Sequence, residues 1–191
     1  MINYPNGKKR KQPTSTRSAS NRGMSLEKEI NQSNQYYLES GMANIHKKPT
    51  PIQVVNVDYP QRSAAKISEA YFKTPSTTDY NGVFCGKAID FEAKECASKT
   101  SFPFSSIHKH QVEHLRSVLS HGAIAFVIIR FSAYNEDYLV EAQKIIASYS
   151  GKRRSIPYSW FQKEAHLIPS SFIPRVDYLK VVEQLYFGGK I

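Results

Sequence analysis

The longest apolar run of the chain, from Ala123 to Ile129, has the length of one β-strand and continues through Phe131. It is far shorter than the ~18 residues that a membrane-spanning helix requires. Because its apolar and β-branched residues follow one another without alternation, both faces of this strand must be buried, as in the centre of a sheet. The chain is therefore predicted to have an α/β or α+β body, with helices on both faces of a sheet.

Helical periodicity occurs on both sides of this strand. A first helix is predicted at about 25–40, and a second at about 107–121. In the second helix one stripe contains Ile107, Gln111, Leu115 and Val118. Gln111 is thus a polar residue on an otherwise apolar face. Further helices are predicted at about 141–149, 159–165 and 176–187.

Extended segments lie between the first two helices. Pro49 and Pro51 introduce a strand at about 52–57, and two antiparallel strands at 79–84 and 88–96 are joined at Cys85-Gly86-Lys87. The intervening residues 58–78 show little pattern apart from an extended piece at about 67–72. A segment of this length is unusual between strands of a compact domain, so we expect it to project from the body.

The charge of the chain points to a polyanionic partner. The 191 residues carry a formal net charge of +10, which makes nucleic acid the first candidate. Residues 1–22 contain six Lys and Arg residues and no acidic residue, and should be disordered alone. This tail could order on a phosphate backbone. A solubility tail, a localisation signal and a merely soluble basic protein remain open alternatives.

The strand at 88–96 carries the residues that suggest chemistry. Its side chains alternate, so that Asp90, Glu92 and Lys94 share one face. Asp79, at the far end of the partner strand, can close toward Glu92. Two carboxylates can hold Mg²⁺ through hard oxygen ligands, and a lysine beside them can stabilise the transition state of phosphodiester hydrolysis. A solvated strand face with an ordinary Glu/Lys pair is the alternative.

Longer motifs extend this pattern. They are Asn21-Arg22-Gly23-Met24-Ser25-Leu26-Glu27, Lys47-Lys48-Pro49-Thr50-Pro51, the stretch from Phe72 to Val83, Ile89-Asp90-Phe91-Glu92-Ala93-Lys94-Glu95 and His110-Gln111. The acid–acid–lysine core resembles the PD-(D/E)xK nuclease superfamily. Together the motifs resemble the RecU-type Holliday junction resolvases of low-GC Gram-positive bacteria, from about residue 21 to the C-terminus.

The resemblance implies a fold and an active site. The fold would be α/β, with a restriction-endonuclease-like mixed β-sheet flanked by helices. Residues 23–191 would form the nuclease domain, with a protruding stalk at about 58–78. Mg²⁺, which Mn²⁺ can replace, would be held by Thr77, Asp79, Glu92 and Gln111. Lys94 would be the transition-state stabiliser, and Asp79, Glu92 and Lys94 the catalytic set.

The resemblance also implies partners. The substrate would be a four-way DNA junction, cut by a homodimer through paired incisions, and recombinase and branch-migration proteins are candidate partners. Lys47 and Arg62 match family positions for junction binding, and Lys73 and Arg22 are further candidates for DNA contact. An ordinary solvated charge is the alternative for Lys47 and for Arg62.

The location of the protein is expected to be cytoplasmic, with the nucleoid. Residues at the N-terminus are basic but lack the apolar core of a secretory signal. Cys85 and Cys96 have no CxxC spacing, which favours a reduced protein and leaves a single disulfide open.

Three rival functions remain at this point. A restriction-type nuclease that reads a duplex sequence would use the same residues. A non-catalytic DNA-binding or architectural protein would explain the charge but not the convergence of acids and lysine. A recombinase-modulating role is compatible with nuclease activity, and the residues neither support nor exclude it.

Overall fold

The computed structural model describes residues 25–73, 77–150 and 153–189, without the side chain of Arg62. Its strands are β1 (Ala43–Lys47), β2 (Ile52–Asp58), β3 (Lys66–Phe72), β4 (Tyr80–Phe84), β5 (Lys87–Cys96), β6 (Ser101–Pro103), β7 (Ile124–Phe131), β8 (Glu136–Glu141), β9 (Ser155–Pro157) and β10 (His166–Leu167). Six of them form one sheet in the order β1-β4-β5-β7-β8-β10. Only the β5–β7 pair of this sheet is parallel.

Helices cover both faces of the six-stranded sheet. They are α1 (Leu26–Glu39), α2 (Lys109–Ser120), α3 (Ala142–Tyr149), α4 (Tyr158–Glu164) and α5 (Tyr178–Phe187). One hydrophobic cluster joins α1 and α5 to the sheet, and a second joins α2, α3 and α4 to the opposite face. The mixed sheet and its two helical layers confirm the predicted α/β fold. Among the described residues, no helix is both long and apolar enough to span a membrane.

Strand β7 lies inside the sheet, as its composition predicted. All eight of its residues are buried, and successive side chains enter the two clusters in alternation. Arg130 is the charged exception. Its Nε donates to Asp137 Oδ1 over 2.6 Å, and its guanidinium also donates to Glu29 of α1. These partners offset the cost of burying the charge and tie α1 to the sheet.

The β4–β5 hairpin has the predicted antiparallel pairing, but its turn is one residue shorter than the predicted Cys85-Gly86-Lys87, because Lys87 belongs to β5. Phe84 pairs with Lys87, and the two residues between them, Cys85 and Gly86, have φ angles of 48° and 74°. Two positive φ angles in a two-residue loop are the geometry that matches the twist of the flanking strands. This two-residue loop therefore fixes the register of β4 and β5, the strands beside which the candidate acids lie.

Both cysteines of the chain, Cys85 and Cys96, are free.

Strand β1 was not predicted, and its position corrects our interpretation of the residues after α1. We placed Lys47 ahead of the first strand, but Lys47 ends β1 and pairs with Tyr80 of β4. Only Ile45 of this short strand is buried, so no alternating pattern marks it. The backbones of β1 and β4 pass very close to each other at Gly82, where a Cβ atom would lie 2.1 Å from the Asn44 carbonyl oxygen.

Strands β2 and β3 form a separate antiparallel ribbon. Most of its side chains are exposed on both faces. The strand predicted at 52–57 belongs to this ribbon and not to the six-stranded sheet, so the ribbon begins before the segment at about 58–78 that we expected to project. Residues 77–79 lead back to β4, and the tail at 1–22 lies outside the described residues.

Candidate active site

The β4–β5 register brings Asp79 and Glu92 together. Tyr80 pairs with Phe91, so the residues one step further along, Asp79 and Glu92, are opposite each other on the α2 face. The backbone N–H of Asp79 donates to Glu92 Oε2 over 3.1 Å. Glu92 is completely buried, whereas Asp79 is partly exposed. The carboxyl groups thus meet at the edge of the core, where one of them can be reached from solvent.

Lys94 contacts Glu92 from the same strand, β5. It lies two residues after Glu92, on the same face, and its Nζ is 2.6 Å from Glu92 Oε1. The Lys94 side chain is 20% exposed. The ammonium group therefore borders the solvent-accessible side of the acid pair.

Gln111 reaches Glu92 from helix α2. Its Nε2 donates to Glu92 Oε1 over 2.6 Å, and its Oε1 accepts a hydrogen bond of 3.0 Å from the His108 N–H. The second bond caps the first turn of α2. Gln111 is buried, and both the nitrogen and the oxygen of its amide are hydrogen-bonded. It orients the Glu92 carboxyl and fixes the start of α2 beside it.

Burial governs the electrostatics of Glu92. Burial is the main cause that raises the pKa of Glu92 from 4.5 to about 8, and the Asp79 carboxyl raises it further. Lys94 acts in the opposite direction and lowers it. The single ammonium group is therefore not sufficient to keep Glu92 ionised at neutral pH. A divalent cation between the two carboxyl groups would supply the missing positive charge.

The donor set fits Mg²⁺ better than a softer metal. In the described part of the chain, no group of three or more His, Cys, Asp or Glu side chains is arranged to hold a metal ion. The carboxyl groups of Asp79 and Glu92 offer hard oxygen ligands, and Mg²⁺ commonly uses one or two carboxylates and keeps several waters. The acid pair is therefore a candidate Mg²⁺ site.

The other residues expected to hold metal or DNA lie in different places. Thr77 lies two residues before Asp79, and its hydroxyl donates to the Thr78 carbonyl oxygen over 3.3 Å. Lys47 forms an ion pair of 2.6 Å with Glu27 of α1. Lys73 is exposed at the end of the ribbon, and Arg62 begins a short 3₁₀ helix in the connection between β2 and β3. Arg22 lies outside the described residues.

A second polar cluster beside the acids was missed by sequence reasoning. Asp90 is buried on the same face as Glu92 and is contacted by Lys48, Thr78 and His114. The alternation of β5 placed Asp90 on that face. Its partners could not be found, because Lys48 follows a strand that was not predicted and His114 comes from a helix.

Comparisons with known proteins place the chain in a family. The model of the family described as "Recombination protein U", RecU, matches residues 21–184. The chain belongs to the RecU family. Its resemblance to RecU-type proteins, carried by the motifs around Asp79 and Glu92, is thereby confirmed.

Curated RecU relatives match nearly the whole chain. The Holliday junction resolvase RecU of Bacillus cereus (strain B4264) is 52% identical over 198 residues, which cover 98% of this chain and 99% of that protein. The protein of the same name from Oceanobacillus iheyensis is 50% identical and covers 97% of this chain and 100% of its own length.

One solved structure is a distant match to this RecU chain. The Holliday junction resolvase Hjc of Archaeoglobus fulgidus has a TM-score of 0.40 and 10% identity, and covers 70% of this chain and 91% of that chain. A likeness at this distance adds nothing to the argument from the family.

Proposed function

We propose that this chain is a divalent-metal-dependent endonuclease that resolves Holliday junctions. The observation that carries the proposal is the convergence of Asp79, Glu92 and Lys94 at one solvent-accessible edge of the sheet. The name of the RecU relatives supports the substrate. An architectural DNA-binding protein would gain nothing from a glutamate whose pKa is raised by burial and, in addition, by a second carboxyl group.

In this proposal Asp79 and Glu92 hold Mg²⁺, which Mn²⁺ can replace, with Thr77 and Gln111 as further ligands. When bound, the ion supplies Lewis-acid stabilisation at the phosphate and activates water for attack. Gln111 now uses its oxygen to cap α2, so its amide must turn before that oxygen can face an ion. In the present conformation Gln111 serves to orient Glu92.

Lys94 acts at the phosphate. Its ammonium group, beside Glu92 and partly exposed, neutralises negative charge as it develops on the phosphate oxygens in the transition state. The same positive charge favours the ionised form of Glu92, which is the form that binds a cation. Lys94 therefore supports both metal binding and the chemical step.

The whole assembly would be a homodimer that makes paired incisions. A two-fold symmetric dimer presents two identical sites, and a four-way junction offers two strands of like polarity in a near two-fold arrangement. The nuclease domain would be residues 23–191, with the ribbon as its stalk. Lys47, Arg62, Lys73, Arg22 and the basic tail at 1–22 would contact DNA phosphates. The protein would act in the cytoplasm at the nucleoid, with recombinase and branch-migration proteins as partners.

Cleavage of matched substrates tests this proposal. A four-way junction and the linear duplexes that make up its arms should be incubated with the protein in Mg²⁺ and in a chelator. We expect symmetric cleavage of the junction in Mg²⁺ but not in the chelator, and little cleavage of the duplexes in either. Cleavage of the duplexes at a fixed sequence would favour a restriction-type nuclease. Binding without cleavage in any divalent ion would favour the architectural alternative.

A further inference from the structure

Asp90 is the centre of a closed hydrogen-bonded network that the catalytic set does not include. Lys48 Nζ donates to Asp90 Oδ2 over 2.8 Å and to Thr78 Oγ1 over 3.0 Å. The Thr78 hydroxyl in turn donates to Asp90 Oδ1. Thr78 and Asp90 are buried, and the Lys48 side chain is 19% exposed. A buried, charge-assisted ring of this kind holds its members in one arrangement.

Two members of this network, Lys48 and Thr78, hold the backbone of Asp79. Thr78 directly precedes Asp79, and its side chain is fixed by Asp90. The Lys48 N–H donates to the Asp79 carbonyl oxygen over 2.8 Å. Asp79 is thus held through the side chain of the residue before it and through its own carbonyl group, and its N–H is bound to Glu92. Residues 77–79 directly precede β4, so the network lies where the chain enters this strand.

Helix α2 contacts both polar clusters. His114 Nε2 lies 3.2 Å from Asp90 Oδ1, and Gln111, three residues earlier on the same face, binds Glu92. Asp90 and Glu92 are themselves two residues apart on one face of β5. The network around Asp90 therefore occupies the same strand–helix interface as the acid pair.

We infer that Asp90, Lys48 and Thr78 form a positioning network that holds the Asp79 carboxylate against Glu92 in the geometry a divalent ion requires. This inference rests on the proposed function and adds residues to its site. None of the three needs to touch the metal or the DNA for this role. Hydrogen-bonding partners behind metal ligands commonly contribute 10- to 100-fold to affinity or activity.

Two substitutions of Thr78 separate positioning from general stability. Thr78→Val keeps the shape of the side chain and removes the hydroxyl that binds Asp90, whereas Thr78→Ser keeps that hydroxyl and removes a methyl group. Mn²⁺ binding to each full-length, DNA-free protein should be measured by titration calorimetry, and unfolding of each by urea. We expect Thr78→Val to bind Mn²⁺ roughly 10-fold more weakly and Thr78→Ser to retain wild-type affinity.

Lys48→Met provides a second variant in case Thr78→Val does not fold. Lys48→Met removes the ammonium group that donates to Asp90 and Thr78, at a partly exposed position. It should also weaken Mn²⁺ binding roughly 10-fold. In the junction assay both variants should bind the DNA and need more Mg²⁺ for half-maximal cleavage, because the metal site is altered.

The outcomes are distinct for the two proposals. Wild-type affinity for Mn²⁺ in folded Thr78→Val or Lys48→Met would overturn the positioning network, and so would equal losses in Thr78→Ser and Thr78→Val. A wild-type chain that binds Mn²⁺ but leaves junctions uncut would contradict the proposed function, while the Mn²⁺ affinities of the variants would still decide the role of Asp90, Lys48 and Thr78. A wild-type chain that binds no divalent ion overturns both.

Discussion

Glu92 is the residue whose surroundings determine what the site can do. It accepts hydrogen bonds from Gln111 and the Asp79 backbone, and it pairs with Lys94. All three contacts reach a carboxyl group that has no access to solvent. Burying an acid beside a second acid with a single lysine does not favour the stability of the fold. The same arrangement is suited to binding a cation.

Replacement of Lys94 tests its role at the phosphate. Lys94→Ala should lower the single-turnover rate of junction cleavage by about 10²- to 10³-fold, because the lost charge acts mainly in the transition state. Junction affinity measured in Ca²⁺ should change little. The control is Lys163→Ala, which removes an exposed lysine of α4. A fall in affinity with an unchanged cleavage rate would instead make Lys94 a DNA-binding residue.

The raised pKa of Glu92 predicts a pH dependence of stability in metal-free protein. The folded chain retains this proton up to about pH 8, whereas the carboxyl of the unfolded chain loses it near the ordinary value of 4.5. Because the folded state binds more protons in this interval, the free energy of unfolding should fall as the pH rises through it. Urea titrations at several pH values in a chelator measure the slope.

Glu92→Gln should remove this part of the slope, since its amide does not titrate. Glu113→Gln, at an exposed position of α2, serves as the charge-matched control and should keep it. Equal slopes in wild type and Glu92→Gln would contradict the assignment of the proton to Glu92.

At the scale of elements, periodicity predicted the parts of the site that lie on long, regular segments. The alternation of β5 and the antiparallel pairing of the predicted hairpin were sufficient to bring Asp79 toward Glu92, although the turn is one residue shorter than predicted. The helical stripe of α2 marked Gln111 as an unusual polar residue. These inferences held because each depends on contacts within one strand, one hairpin or one helix.

Other elements could not be predicted correctly from the sequence, because tertiary contacts determine them. Strand β1 has one buried residue and no usable alternation, so Lys48 could not be placed beside Asp90. Strand β2 is rich in Val and Ile and was assigned to the body, although these side chains are exposed on the ribbon. The composition of β2 indicates a strand but does not indicate which sheet that strand joins.

The close contact between β1 and β4 gives a prediction about stability. Gly82→Ala would place a methyl group 2.1 Å from the Asn44 carbonyl oxygen, so β1 must shift. We expect a loss of about 3 kcal/mol in the free energy of unfolding. Gly86→Ala, where space is open but φ is +74°, should cost only about 1 kcal/mol. Urea unfolding compares them, and an equal loss would show that β1 is not tightly packed against Gly82.

On the scale of the whole molecule, the proposal requires two sites acting on one junction. A heterodimer of a wild-type chain and an Asp79→Asn chain, isolated with two affinity tags, should cut one strand and release nicked junction in place of resolved duplexes. A heterodimer of wild type with Glu39→Gln, an exposed change on α1, should resolve junctions fully. Full resolution by the Asp79→Asn heterodimer would contradict one incision per subunit.

The most direct test of the acid pair as a metal site is the Mg²⁺ dependence of junction cleavage in homodimers of Asp79→Asn, with Glu39→Gln as the charge-matched control. Asp79→Asn keeps the size of the side chain and removes the charge that faces Glu92. We predict that it binds the junction as wild type does and cuts it at least about 100-fold more slowly at every Mg²⁺ concentration. Cleavage by Asp79→Asn at the wild-type rate would contradict the account.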